Sequence, residues 1–257
     1  GGLSSRNTHY LGIAGFGNAL LFTGDQRFVD VWRQQIDTIN SNTKVVDGQQ
    51  MYPHMFGDDG WYDFSTSPYS AGALDVYYWS MARQDLQRLD AETGWIGFLE
   101  GNAPDYPVAA LQRDFGRVRS QMEKVRHDPT TPDTRLSDNP NPLNPATIGS
   151  LVELMLGGMT PRHGCPLHCR LRYFDPARQR PGMPDGVGAL VEKLEADSTT
   201  VTLVNTDQVS SRQVVVQGGA YAEHHFGTVR IGDEAFEVDA TSFAVELAPG
   251  AGATLRI

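Results

Sequence analysis

Residues 51–69 read MYPHMFGDDGWYDFSTSPY. Besides Tyr52 and Tyr69 this stretch holds the rings of Phe56, Trp61, Tyr62 and Phe64, together with His54, Asp58, Asp59 and Asp63. It lacks a helical or strand period, which predicts a long structured loop between helical segments. Loops of this length inside compact domains are functional or disordered, and this one is too aromatic for disorder. Flat rings beside carboxylates suit a sugar: the apolar face of a pyranose lies on a ring while its hydroxyls bond to carboxylate oxygens. Tyr52, His54, Asp58, Asp59, Trp61 and Tyr62 are the expected sugar contacts, with Trp61 and Tyr62 as the stacking surface.

On its N-terminal side the pattern is helical. Residues 8–41 predict a helical hairpin, stopped by Thr23-Gly24-Asp25, with Asp25 placed to cap the second helix. Phe28, Trp32, Ile36 and Ile39 then recur on one face. On the C-terminal side, Tyr69–Leu89 predicts a helix with a break near Ala82, and residues 93–105 a second aromatic and acidic connection carrying Trp95 and Glu100. Val108, Leu111, Phe115, Val118, Met122 and Val125 give the most regular helical repeat in the chain, with Pro107 in its first turn. Residues 128–145, rich in Pro, Asp and Asn, read as a polar connection, and Ala146–Leu156 as a last helix ended by Gly157-Gly158.

From about residue 168 the period shortens to two. Strands are predicted at Ala189–Leu194, Val201–Val204, Val214–Val216, Ala220–Phe226, Thr228–Ile231, Phe236–Val238, Phe243–Leu247 and Ala253–Ile257. The expected fold is therefore α+β in two domains. Helical hairpins occupy residues 1–160 and an antiparallel β-sandwich occupies residues 161–257.

FTGDQRFVDVWRQQI (Phe22–Ile36) and TSFAVELAPGAGATLRI (Thr241–Ile257) resemble, respectively, a hairpin and the closing β-sandwich of the α/α-toroid carbohydrate-active enzymes, the glycoside hydrolases and polysaccharide lyases. The resemblance implies a polysaccharide or oligosaccharide as partner, cleaved by hydrolysis or β-elimination. It also implies that the chain, which opens Gly1-Gly2 and shows about half of a toroid's helices, is the C-terminal part of such an enzyme, its partner being a missing N-terminal half of the same protein. In the lyase form the resemblance assigns charge neutralisation of a uronate to Asn7 and proton transfer to His9 and Tyr10. Chemically, removing a proton beside a carboxylate needs a base and a stabilised enolate-like charge. In the hydrolase form Asp63 and Glu100 are the candidate carboxylates, since glycoside hydrolysis needs two. A glycan-binding or scaffold protein without catalysis is the reading from another class.

Other chemistries are disfavoured. A net charge of −10 and the lack of a basic run argue against nucleic acid, and no apolar run reaches the roughly 20 residues that cross a bilayer. No phosphate loop, nucleophile elbow or zinc-protease pair is present, so no cofactor is expected. His163, Cys165, His168 and Cys169 crowd four ligand-type side chains into seven residues, whereas structural zinc sites draw on two separated pairs. No metal is expected there, and the segment reads as a domain junction with two ordinary thiols. His224 and His225 read as strand residues facing opposite sides, and the compartment, periplasmic or extracellular among others, stays open.

Overall fold

A computed structural model describes residues 6–131, 144–160 and 166–257, with side chains described from residue 14 onward. Helix α1 (Arg6–Thr23) ends where Gly24 takes a left-handed backbone, φ +68°. Asp25 Oδ1 then accepts the Arg27 N–H at 3.0 Å, at the start of α2 (Arg27–Ser41). The apolar face of α2 buries Val29, Trp32, Ile36 and Ile39. With Tyr69, Ala73 and Val76 they form one core cluster, against which Phe16 and Leu20 of α1 pack.

The stretch expected as a loop is a β-meander. Strands β1 (Lys44–Val46), β2 (Gln49–Gly57) and β3 (Gly60–Ser65) form a three-stranded antiparallel sheet. Asp47 and Gly48, both at positive φ (51° and 77°), make the two-residue turn between β1 and β2. This is the type I′ geometry that matches the twist of paired strands. Asp58-Asp59 turns β2 into β3, closed by the Gly57–Gly60 pair. Asn40 holds the far end of the stretch to α2: its amide donates to the Tyr69 carbonyl at 2.9 Å and its oxygen accepts the Tyr69 N–H at 2.8 Å.

Helix α3 (Ala73–Ser80) stops at Met81, whose φ of +49° is left-handed, and a 3-10 turn over Arg83–Arg88 follows. Asp85 in that turn is fully buried and gathers Arg33 of α2 through two bonds of 2.8 Å, Arg88 at 2.8 Å and Ser80 at 2.6 Å. Helix α4 (Gly94–Leu99) leads into α5 (Tyr106–Arg126), and α6 (Gly149–Leu156) is ended by left-handed Gly157. The regular stripe of α5 lies largely in solvent: Val108 and Phe115 are 61% and 60% exposed, and Ala110 is the helix's one buried residue.

A short pair, β4 (Gly158–Met159) with β5 (His168–Cys169), precedes two antiparallel sheets. One has the order β13 (Ser242–Leu247), β10 (Arg212–Gly218), β6 (Leu171–Asp175), β7 (Arg180–Pro181). The other runs β12 (Glu234–Ala240), β11 (Phe226–Ile231), β14 (Gly252–Arg256), β9 (Thr199–Asn205), β8 (Val187–Leu194). Alternate residues of both point into one core. Leu171 and Val214 come from the first sheet, and Val201, Leu203 and Leu255 from the second. Tyr78, Trp95 and Leu154 of the helices join the same core. Each fully buried aliphatic chain there is worth about 1.5–3 kcal/mol relative to exposure.

The fold is α+β with antiparallel sheets. Two strand expectations change. Residues 220–225 are a turn, with Ala222 at φ +63°, and the strand begins only at Phe226. Strand β6, whose Leu171, Tyr173 and Asp175 are buried, lies where no strand was expected. His224 and His225 therefore sit in the turn before β11 and not on a strand.

Candidate functional site

The β2–β3 hairpin sorts its side chains by the strand period of two. Phe56 faces Trp61 across the strands, ring centroids 4.9 Å apart and edge to face. Trp61 packs against the α1–α3 core, while Tyr62 points to the other side and is 46% exposed. The expected stacking surface of Trp61 with Tyr62 is thus corrected: neighbours in a strand cannot share a face. The most exposed rings of the hairpin are Phe56 and Tyr62. On the Tyr62 side, the Lys44 ammonium sits 3.7 Å from the centre of the Phe64 ring. Asp58 and Asp59 form the exposed tip, and Asp63, exposed with φ +55°, stands beside Tyr62.

His54 is held. Its Nε2 lies 2.9 Å from both the Ser67 carbonyl and the Ser65 hydroxyl, and its ring meets Tyr69 edge-on at 6.0 Å. Tyr52, half-buried, pairs with Ser65 at the base of the hairpin. The hairpin thus brings together seven of the sequence-predicted residues, Tyr52, His54, Asp58, Asp59, Trp61, Tyr62 and Asp63, on two faces and a tip.

Two others lie apart from it. Trp95 is a core residue: it is 5% exposed, donates its indole N–H to the Tyr78 hydroxyl at 2.7 Å and stacks on Phe98, so its faces are covered. Glu100 closes α4 and takes the Arg83 guanidinium at 2.6 Å. Asn7, His9 and Tyr10 fall in the backbone of α1, and their side chains lie outside the described residues, as do His163 and Cys165 altogether.

A concavity of about 360 Å³ opens where the end of α1 meets α3 and the β5 segment. Trp79 donates its indole N–H to His168 Nε2 at 2.7 Å. Gly17 permits this close approach of α1, since a Cβ there would fall 2.8 Å from the Trp79 ring. With Nε2 accepting, the His168 proton sits on Nδ1. Burial pushes the imidazole pKa down to about 4, against a smaller upward pull from Glu223, so it is neutral at pH 7. Burial likewise pushes the Cys169 thiol up to about 12, and the Tyr78 phenol is held protonated by the same cause. The wall of this cavity carries the charged groups Arg170 and Glu223 and two histidines, of which His168 already has its Nε2 occupied by Trp79. It lies where helices meet sheets.

Half-buried Glu153 of α6 accepts the Tyr106 hydroxyl at 2.6 Å. Burial raises its pKa, and the Tyr106 bond and the charge of Arg113 pull the other way. This pair ties α5 to α6. Its sequence signal was slight, a lone Glu in an apolar octamer. Among the described residues no group of three His, Cys, Asp or Glu side chains is placed to hold a metal ion, and no helix is long and apolar enough to cross a membrane.

The chain matches no protein-family model, no curated protein and no solved structure.

Proposed function

We propose that this chain is a carbohydrate-active protein, or the C-terminal portion of one, and that the β2–β3 hairpin is its sugar-contacting edge. In this reading the helices belong to a partial α/α-toroid, the two sheets to a β-sandwich, and the partner is a polysaccharide or oligosaccharide. The observation that supports it is the hairpin itself: Phe56 and Tyr62 exposed on opposite faces of one projecting ribbon, with Asp58, Asp59 and Asp63 at and beside its tip. A ring in solvent next to carboxylates supplies both halves of sugar recognition, an apolar surface and hydroxyl acceptors.

Cleavage, by hydrolysis or β-elimination, is the catalytic form of the proposal, with His9 and Tyr10 or Asp63 and Glu100 as the groups to examine. Binding without turnover is favoured by a separate observation: Glu100, one of the two candidate carboxylates, is already engaged by Arg83.

The test is affinity electrophoresis against neutral and uronate-containing polysaccharides, run beside assays for reducing ends and for the ultraviolet absorbance of an unsaturated uronate. Retardation by a glycan, lost with Tyr62→Ala at a cost of about 1–3 kcal/mol, supports the reading. Equal retardation of a folded Tyr62→Ala protein removes the hairpin from it. Reducing ends with the absorbance mean elimination, reducing ends alone mean hydrolysis, and retention without either means a binder.

A further inference from the structure

A larger concavity lies away from the hairpin. A cleft of about 650 Å³ runs beside the second sheet, between the 195–199 turn, the 223–228 segment and the ends of β11 and β14. Three guanidinium groups line it, those of Arg170, Arg230 and Arg256. Their neutralisation is incomplete. Half-buried Arg170 donates to the backbone carbonyls of Glu195 and Ala196, at 3.2 and 3.3 Å, and meets no carboxylate in an ion pair among the described residues. Arg230 has no ion-pair partner among the described residues either. Arg256 reaches Glu195 at 3.4 Å, but Glu195 is already held by Lys193 at 2.8 Å and by the Ser198 hydroxyl at 2.9 Å. Burial lowers the pKa of Arg170, against smaller upward pulls from Tyr77, Tyr78 and Glu223.

The acidic groups in the cleft are Asp197 and Glu223. Glu223 accepts the N–H groups of Ala220 at 3.2 Å and Tyr221 at 2.7 Å, which fixes its carboxylate and leaves a lone pair on each oxygen. Carboxylates placed this way accept hydroxyl protons. They do not meet a second anion. Guanidinium groups, by contrast, match the planar two-oxygen face of a carboxylate.

We propose that this cleft is a binding site for a hydroxylated carboxylate, with Arg170, Arg230 and Arg256 taking the anionic group and Asp197 and Glu223 taking hydroxyls. The ligand class is a uronic acid or comparable polyhydroxy acid, free or at the end of an oligosaccharide. The site stands on the cleft's own geometry and holds whether or not the hairpin binds sugar. A chain of net charge −10 does not attract anions over its whole surface, so binding here is local.

Calorimetric titration of the full chain at low ionic strength tests it, with galacturonate, galactose and inorganic sulfate as separate probes. Galacturonate is expected to bind, galactose to bind at least about tenfold more weakly, and Arg230→Gln with Arg256→Gln to lose about tenfold in galacturonate affinity. Both arginines are exposed, so the single variants, checked by their thermal unfolding, serve if the double variant does not fold. Equal affinity for galactose and galacturonate, binding of sulfate without galacturonate, no binding at all, or folded arginine variants that bind as the parent does would each overturn the assignment.

Discussion

Helices α2 and α5 carry the same kind of pattern, apolar side chains three and four residues apart along one face. The 15-residue α2 buries Val29, Trp32, Ile36 and Ile39, whereas the 21-residue α5 buries Ala110 alone. The difference lies in what each helix touches. Helix α2 is packed by α1, α3 and β2, and its Arg33 is locked onto Asp85. Helix α5 meets α4 and α6, and most residues of its later turns are exposed among the described residues. Periodicity fixes that a face is apolar. Burial depends on a neighbour, and that neighbour is encoded elsewhere in the chain.

The sharpest break of this contrast is in the buried face. Ile36 has no exposed surface, so Ile36→Ala leaves a cavity enclosed by Val29, Trp32 and Val76. A loss of about 3–4 kcal/mol is expected in urea unfolding, with the slope unchanged. A loss below about 1 kcal/mol would mean that α2 is covered no better than α5.

Asp85→Ala comes next, with an expected loss of about 2–3 kcal/mol. The removed carboxylate leaves Arg33 and Arg88 with only their more exposed partners, Asp30 and Asp37. Burial alone would raise the Asp85 pKa, but the bonds from Arg33 and Ser80 and the charges of Arg33 and Arg88 outweigh it, and the pKa is lowered. The sign follows from linkage. A carboxylate with a depressed folded pKa contributes stability above its unfolded pKa of about 3.9, lost as pH falls through the folded value. Parent and variant should therefore differ most near neutral pH and converge in strong acid. A gap that stays constant down to low pH would remove the charge of Asp85 from the explanation.

The sequence carries these features unevenly, for physical reasons. The stripe of α2 is legible because its period and its burial coincide. The meander at residues 44–65 was legible in part: Asp47-Gly48 between Val45-Val46 and Gln49-Gln50 is a strong hairpin signal, which the aromatic content of the following stretch obscured. The turn at 220–225 resembles a strand in sequence because Ala220, Ala222 and Phe226 imitate an alternating pattern, and nothing local reveals the left-handed φ of Ala222. The arginine cleft was invisible, since Arg170, Arg230 and Arg256 stand 60 and 26 residues apart and only strand order brings them together. Trp95 misled in the opposite direction: a Trp in an acidic connection reads as a sugar contact, and its indole N–H is spent on Tyr78 in the core.

The smallest effect is the one that tests the exposed side of the comparison. Phe115 is 60% exposed and lies on the uncovered face of α5, beside Gly116, whose Cβ position meets no atom within 4 Å. Replacing it with serine removes a ring that makes little of its contact with the protein. The helix loses only a small difference in propensity, so Phe115→Ser should change urea stability by no more than about 0.5 kcal/mol. The same substitution shortens an apolar stripe that water now faces, and it should raise solubility measured by precipitation with ammonium sulfate. A loss of about 2 kcal/mol or more in the isolated chain would show that Phe115 is covered in solution, and α5 would then stand with α2 as a buried helix. An unchanged stability with higher solubility keeps the two helices apart: one pattern, satisfied by neighbours in α2 and left facing water in α5.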